Sequence, residues 1–301
     1  MISSPRGKDN VVHPTVARRR QVNKASAPSL LTAMLAEFAL ARPEPLWTQT
    51  ILGALECLDI GQKSARQAVA RIAAEGWLTS QRHGRRVRWQ LTASGRRRLT
   101  DCVDHADQLG QADTNWDSRW LVAVVSVPES KREARHKLRT RLSRAGFGSP
   151  GWSMWVSPHT GLEWELKNIV ADLKLTDEAM SFIAQCGALG DVHRLVSAAW
   201  DLDELSGRYE HFIDEFRGLQ PRNPMAALLA QIRLRHEWHR LSILDPRLPA
   251  ELLSSNWSGF HAAKLFNNSH SAWRTLADLG WSNLIARYDQ ALDRPPGQSI
   301  G

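Results

Sequence analysis

The sequence is poor in cysteine, and no apolar run approaches the about 18 residues needed to cross a bilayer. Its cysteines, Cys57, Cys102 and Cys186, lie far apart without metal-ligand spacing, which argues against both a disulfide framework and a zinc cluster. We interpret them as reduced, packed thiols. The basic N-terminus lacks the hydrophobic stretch and cleavage site of a signal peptide. These absences predict a cytoplasmic protein with no membrane segment.

The composition is that of a folded globular chain. Its 301 residues suggest two or three domains, at about 100 to 200 residues per domain. Apolar residues make up 43% and charged residues 23%, close to the averages of folded proteins, which disfavours a disordered chain or a coiled coil.

The net charge of +8 is concentrated in the first third of the chain. Residues 1–112 contain 17 Lys and Arg against 9 Asp and Glu, whereas residues 113–301 contain 22 of each kind. Between Arg82 and Arg98 there are seven arginines and no acid. Localised positive charge of this kind is typical of a surface that contacts a phosphate backbone. The alternative is a solvated tail, and we predict residues 1–27 to be one, a disordered basic arm.

Hydrophobic periodicity predicts helices at the start of a domain over residues 28–112. Three are expected, at about 30–39, 48–58 and 64–75. Thr48 is the predicted N-cap of the second helix and Ser64 that of the third, and Gly76 ends the third.

A hairpin and a closing helix complete this domain. The predicted strands, 77–80 and 86–91, flank His83 and Gly84, where glycine permits a tight turn. A last helix, capped by Thr92 or Ser94, runs to about Leu109. Three helices, a hairpin and a helix are the element order of a winged helix-turn-helix.

The polar residues of this domain point to DNA. In a helix-turn-helix the second helix of the pair enters the major groove, so the third helix here carries the expected readers, Lys63, Ser64, Arg66, Gln67 and Arg71. Among them, Arg66 suits guanine, Gln67 suits adenine and Arg71 suits the backbone. The wing arginines, Arg82, Arg85, Arg86 and Arg88, suit the minor groove or its phosphates. An ordinary solvated face is disfavoured because helix polarity, turn glycine and arginine cluster coincide.

The remaining chain predicts two more domains and, with the first, an α+β fold. Residues 113–190 suit a ferredoxin-like domain, with strands at 119–127, 152–157 and 180–185 and helices at 130–145 and 161–173. Residues 191–301 predict a helical domain, with helices at about 202–216, 228–244, 259–267 and 271–292. Asp201 or Asp203 caps the first of these helices.

Two motifs suggest chemistry that their context does not support. Gly146, Gly148 and Gly151 spell the dinucleotide fingerprint G-x-G-x-x-G, but they follow a helix and precede a strand, so we interpret them as turn residues. His236 and His239 fall one residue short of the H-E-x-x-H spacing, which favours packing or a ligand hydrogen bond over a metal. We therefore predict no metal, no cofactor and no catalytic residue.

Several stretches carry more distinctive motifs. The first domain contains Leu46-Trp47-Thr48, the run from Ser64 to Leu78 and Gly84-Arg85-Arg86. The middle contains Arg144-Ala145-Gly146-Phe147-Gly148 and Trp155-Val156-Ser157-Pro158. The last third contains Arg235-His236-Glu237-Trp238, Leu244-Asp245-Pro246-Arg247-Leu248-Pro249 and Trp257-Ser258-Gly259. With these motifs in order, the chain resembles the PaaX-like repressors of phenylacetate-degradation operons, and the Asp-Pro-x-Leu-Pro segment is the most specific of them.

The resemblance implies a winged-helix DNA-binding domain, a central domain similar to small ferredoxin-like CRISPR-associated endonucleases, and a helical C-terminal domain. It also implies a dimer that represses a catabolic operon and releases DNA on binding an aryl-CoA thioester such as phenylacetyl-CoA. The sequence departs from the nuclease relatives, because the end of the first central strand, Val125-Ser126-Val127-Pro128, offers no carboxylate for magnesium.

We therefore expect a cytoplasmic homodimeric repressor that binds double-stranded operator DNA and a small effector. For the effector site we name Trp152, Trp155, His236 and Arg240, because aromatic surface and a cation suit an acyl-CoA. A metal-dependent nuclease built on the central domain is the alternative from another class of protein. A protein-interaction adaptor is a second alternative.

Overall fold

The computed structural model describes residues 25–110, 116–151 and 153–293, with side chains up to residue 289. It is an α+β fold with two antiparallel sheets and a set of C-terminal helices. No helix within these described ranges is long and apolar enough to cross a membrane. The predicted arm, residues 1–27, lies outside the described residues except for its last three, and Ala27 already belongs to the first helix.

The N-terminal region consists of helices around a small sheet. Its elements are α1 (Ala27–Met34), which continues as a π-helix (Leu35–Ala39), β1 (Leu46–Trp47), α2 (Thr48–Glu56), α3 (Gln62–Ala74), β2 (Leu78–His83), β3 (Arg86–Leu91) and α4 (Ala93–Asp107). The strands pair in the order β1-β3-β2. Gly84, at a φ of 61°, makes the turn between β2 and β3, and Thr92 caps α4 by accepting from the Gly95 amide at 2.9 Å.

The start of α2 differs from the prediction. Trp47 is the N-cap, and Thr48 is already helical. The Thr48 hydroxyl is used elsewhere, because it donates to the Val87 carbonyl at 3.0 Å and accepts from Nε1 of Trp89 at 2.9 Å. A tertiary contact with the hairpin therefore outweighs the capping preference of threonine.

The start of α3 differs in the same way. Gly61 is the N-cap instead of Ser64, because Asp59 adopts a left-handed φ of 63° and turns the chain early enough for the helix to begin at Gln62. Ser64 consequently lies in the first turn, where its side chain is exposed and caps nothing.

The central region is a four-stranded sheet with helices on both faces. Its elements are β4 (Arg119–Val125), α5 (Arg132–Arg144), β5 (Gly148–Gly151), β6 (Met154–Ser157), α6 (Glu163–Asp172), β7 (Ala179–Gln185) and α7 (Val192–Ala199). The strands are antiparallel in the order β5-β6-β4-β7. One face of β4 packs against α5 and α6, and the other packs against α7.

Two of these elements, β5 and α7, were not predicted. Gly146 and Gly151 do have the positive φ of turn residues, but Gly148 lies in β5 against the Trp200 ring. A Cβ at Gly148 would come within 2.5 Å of that ring, so only glycine allows the approach. The turn interpretation is therefore wrong for Gly148.

The C-terminal region is helical, as predicted, but with fewer helices. It contains α8 (Leu202–Phe216), α9 (Pro224–Leu244) and α10 (Ser258–Asp293). Asp201 caps α8 by accepting from the Glu204 amide at 2.9 Å. The break predicted between 267 and 271 is wrong, because Ser269 and His270 pack against the rest of the protein and α10 continues through them.

The cysteines are free, but they are not uniformly packed. Cys102 is partly buried, whereas Cys57 and Cys186 are exposed, since each directly follows the last residue of a helix or strand. The prediction of packed thiols is therefore wrong for the latter two.

The N-terminal and C-terminal regions share one hydrophobic core. Residues from α1, α2 and α3 pack with Leu228 and Ile232 of α9 and with Trp281 and Leu284 of α10. The core between the central sheet and α5 and α6 contains only central residues.

Candidate nucleic-acid interface and ligand cavity

The outer face of α3 is polar and exposed. Ala65, Ala68, Val69 and Ile72 bury the opposite face in the N-terminal core. The exposed side chains are Lys63, Ser64, Arg66, Gln67 and Arg71, so the structure brings all the predicted readers onto one surface. Of these, Arg71 is paired with Glu75 at 3.0 Å, a solvent-exposed pair that DNA phosphates could replace at small cost.

The β2–β3 hairpin extends as a cationic finger. Arg82, Arg85 and Arg86 are exposed near its tip, and Nε of Arg82 donates to the Gly84 carbonyl at 3.1 Å, which braces the turn. Arg88 is placed differently. It is partly buried, with its guanidinium 4.0 Å from the centre of the Trp47 ring. The structure therefore puts three wing arginines at the tip and one at the base.

The residues named for the effector do not meet in one place. Trp155 is buried in the central core, and His236 is buried on α9. Arg240 pairs with Glu237 at 2.8 Å and lines a small cavity between α8 and α9. Trp152 lies outside the described residues. Trp155 is thus separated from the other two by its place inside the sheet core.

The histidine pair offers no metal site. Burial lowers the pKa of both His236 and His239, and the described residues contain no cluster of His, Cys, Asp and Glu that could hold a metal ion. At the end of β4, the Ser126 amide donates to the carbonyl of Glu178, while the Glu178 carboxylate pairs with Lys131 at 2.7 Å.

A buried ion cluster joins the N-terminal region to α9 and α10. Glu37, whose side chain is 1% exposed, accepts hydrogen bonds from Arg235, from His270 at 3.0 Å and from Arg274 at 3.2 Å. Burial by itself raises the pKa of Glu37, but the hydrogen bond from His270 and the charge of Arg235 outweigh it and lower the pKa to about 2. Arg235 also binds Asp107 of α4 at 2.7 Å.

A cavity of about 450 Å³ lies where all three regions meet. Its lining comes from the end of α4, from the segment before α6, from α8, from the loop after α9 and from the start of α10. The polar members are Gln108, His159, Tyr209, Asp245 and Arg247. Residue-by-residue reasoning missed this site, although the Asp-Pro-x-Leu-Pro segment that forms its floor was the most specific motif in the sequence.

Three family models match the chain in order: "PaaX-like protein" over residues 26–95, "PaaX protein central Cas2-like domain" over 113–196 and "PaaX-like protein C-terminal domain" over 200–283. The chain belongs to the PaaX-like family. The Transcriptional repressor PaaX of Escherichia coli (strain K12) is 28% identical to this PaaX-like chain over 257 residues, which cover 81% of the chain and 79% of that protein.

The fold of this PaaX-like protein is also similar to a solved structure. The uncharacterized protein Rv0674 from Mycobacterium tuberculosis superimposes with a TM-score of 0.58 and 19% identity, covering 85% of this chain and 98% of that chain. At this identity the similarity concerns the fold alone. The family predicted from the motifs is confirmed by the family models and by the E. coli relative.

Proposed function

We propose that this PaaX-like protein is a DNA-binding transcriptional repressor and not an enzyme. Its N-terminal region acts as a winged helix-turn-helix, with α3 as the recognition helix and the β2–β3 hairpin as the wing. The central region is a ferredoxin-like domain. The protein works in the cytoplasm on an aromatic-acid catabolic operon and leaves its operator when a small effector such as an aryl-CoA thioester binds.

The observation that carries this proposal is the surface formed by α3. Its outward side chains are basic or amide- and hydroxyl-bearing, and α3 itself contains no acidic residue. A helix that docks on another protein usually presents an apolar stripe, whereas all the large apolar residues of α3 face inward. A polar, cationic helix beside an arginine-bearing hairpin is complementary to a groove lined by phosphates.

Each residue then has a distinct role. Arg66 pairs with guanine and Gln67 with adenine, while Lys63 and Ser64 contact bases or phosphates at the start of α3. Arg71 exchanges Glu75 for a backbone phosphate. At the wing, Arg82, Arg85 and Arg86 reach the minor groove or its phosphates, and Arg88 contacts a phosphate from the base of the hairpin.

A homodimer on a palindromic operator follows from the small reading surface. One recognition helix contacts too few bases to compete with the non-specific sites of a genome. Two copies related by a two-fold axis double the contacts and fix the spacing of the half-sites.

The test is binding of labelled duplex DNA from the region upstream of the protein's own gene, followed by fluorescence anisotropy in rising salt. With about six to ten phosphate contacts, affinity should fall by about 10³ to 10⁵ between about 50 and 200 mM salt. Arg66→Ala should reduce discrimination between operator and scrambled duplex by about 1 to 3 kcal/mol. Arg85→Ala should weaken binding to both duplexes equally and reduce the salt slope by about one.

The matched control is Arg139→Ala, which removes an exposed arginine from α5 in the central region. It should leave both affinities unchanged. A shallow salt response of the wild type, or equal losses from Arg139→Ala and Arg85→Ala, would contradict the proposal.

The nuclease alternative is tested by incubating labelled DNA and RNA with magnesium, with and without a chelator. We expect no cleavage, because the end of β4 lacks the carboxylate that would hold the ion. The adaptor alternative predicts no duplex binding at any salt concentration.

A further inference from the structure

The loop after α9 connects the three regions at the floor of the 450 Å³ cavity. The carbonyls of Pro246 and Arg247 lie 3.2 and 2.9 Å from Nε2 of His159 in the central region. The guanidinium of Arg247 donates to Oε1 of Gln108, the last residue of α4, at 2.8 Å. One short loop is thus bonded to both neighbouring regions.

The backbone of this loop is strained and held in place by its own side chains. Arg247 has a φ of 54°, in the left-handed region that favours glycine. Its amide donates to Oδ1 of Asp245 at 2.5 Å, and the Tyr209 hydroxyl donates to Oδ2 of Asp245. The conformation that aims the Arg247 side chain into the cavity is therefore maintained by specific hydrogen bonds.

Arg247 provides a positive charge that no described residue neutralises. Its guanidinium hydrogen-bonds to the neutral amide of Gln108 and forms no ion pair within the described part of the chain. The nearest acid in the loop, Asp245, has one oxygen occupied by Tyr209 and the other by the Arg247 amide. The guanidinium is consequently available to an anion that enters the cavity.

The rest of the cavity wall is mainly apolar. It is formed by Leu109, Leu162, Leu248, Leu253, Trp257 and Phe260. An apolar enclosure with a few polar groups at one end is typical of small-molecule sites, and its volume lies within their usual range of about 300 to 1,000 Å³. Aromatic surface of this kind suits a ring-bearing ligand.

We propose that this inter-region cavity is a binding site for an organic anion with an aromatic or other apolar body, whose negative group pairs with Arg247. The site differs from the one that the sequence alone suggested, because none of Trp155, His236 and Arg240 lines it. The anion is either a free aryl carboxylate or an aryl thioester that carries phosphate groups, and both bring the same combination of charge and ring.

The site also explains how a ligand would reach the DNA-binding surface, a part of the inference that rests on the proposed function. An anion at Arg247 competes with Gln108 for the guanidinium, so it releases the loop from the end of α4. Because α4 belongs to the region that carries α3 and the wing, the ligand shifts the position of that region relative to the central domain.

The experiment is isothermal titration calorimetry on the full chain without DNA, with phenylacetate, phenylacetyl-CoA, free CoA and the neutral analogue phenylacetamide as probes. We expect phenylacetate or phenylacetyl-CoA to bind at least tenfold more tightly than phenylacetamide and free CoA. The acid and thioester arms identify which source of the anion the site prefers.

Two glycine substitutions locate the site. Gly161 lies at the cavity with open space around its Cβ position, so Gly161→Phe fills the cavity without a clash. Gly207 has the same open space beside the smaller cavity that contains Arg240, so Gly207→Phe is the matched control. We expect Gly161→Phe to weaken anion binding at least tenfold and Gly207→Phe to leave it unchanged.

A second variant tests the charge. Arg247→Asn removes the cation while keeping a residue type that tolerates positive φ. It should weaken binding of the preferred anion at least tenfold, and a melting midpoint near that of the wild type shows that it is folded.

The proposal is overturned if no anionic probe binds the wild type at millimolar concentration, or if Gly161→Phe binds like the wild type. It is also overturned if Gly207→Phe is the variant that loses binding. Since none of these measurements uses DNA, a failure of the repressor proposal would appear separately, as an absence of duplex binding by a protein that still binds the anion.

Discussion

The N-terminal and central regions are attached to the C-terminal helices in different ways. The N-terminal region shares its core with α9 and α10, where Phe38 stacks on Trp281 at a centroid distance of 5.1 Å. The central region keeps its own core and meets the C-terminal region through a smaller cluster that contains Trp120, Val196 and Leu248. Densely packed cores transmit displacement as a unit, whereas small contacts rearrange more readily.

This difference identifies which part can move. The DNA-binding surface and the C-terminal helices form one body, and the central region is the part that shifts against it. The cavity lies at the boundary between the two, beside His159 on the central side and Gln108 on the other. A ligand there acts on the boundary and leaves the core of either body intact.

The sharpest way to break the comparison is Trp281→Ala. Truncating this side chain, 1% exposed on α10, should cost about 4 kcal/mol of unfolding free energy and raise amide hydrogen exchange in α1, more than 200 residues earlier in the sequence. Trp155→Ala is the matched control in the central core, and it should raise exchange in the central sheet while α1 stays protected. Equal effects of both variants on α1 would show that the two regions are not separately attached.

The next largest effect is expected from the ion cluster. Glu37→Gln leaves the buried guanidinium of Arg235 without its charge partner, so it should lower the unfolding free energy by about 3 kcal/mol in urea titrations. Glu133→Gln, which disrupts an exposed pair with Lys137, should cost less than about 0.5 kcal/mol. If both variants cost the same, the cluster does not hold the two regions together.

Acid should weaken the same attachment. The pKa of Glu37 falls from 4.5 to about 2 on folding, so the ionised carboxylate stabilises the folded state fully above about pH 5 and loses that contribution as pH falls through 4.5 towards 2. From pH 6 to pH 3 the wild type should lose about 2 kcal/mol more than Glu37→Gln in urea titrations. Parallel pH profiles for the two proteins would contradict this assignment.

The smallest effect is expected at the edge of the attachment. Arg42 pairs with Asp278 of α10 at 3.1 Å, and both side chains are about one-third exposed. Arg42→Ala should therefore cost no more than about 1 kcal/mol, and the loss should shrink in high salt. A cost as large as that of Glu37→Gln would mean that exposed pairs contribute as much to this joint as the buried cluster.

The sequence predicted local features well where one physical signal dominates. The spacing of Ala65, Ala68, Val69 and Ile72 defined the buried face of α3, and therefore also its exposed polar face. Gly84 located the hairpin turn because only a residue free to adopt positive φ fits there.

Features that depend on distant partners were missed. Nothing local marks Gly148 as a strand residue, since its place in β5 depends on the ring of Trp200. The polar stretch around His270 suggests a helix break, but the helix continues because His270 binds Glu37 of the N-terminal region. A helix did have a local signal at Asp191, Val192, Leu195 and Val196, where a capping residue precedes residues at helical spacing, yet α7 was not predicted.

The sequence by itself determined the type of most elements, the basic character of the N-terminal surface and the family, because each of these is encoded in neighbouring residues or in motifs read in order. Only the tertiary structure decided that the N-terminal region shares a core with α9 and α10, that Arg88 lies on Trp47, and that Arg247 faces a cavity beside Gln108. The physical reason is that packing and charge pairing join residues more than a hundred positions apart, and no local periodicity records which distant partner a side chain will meet.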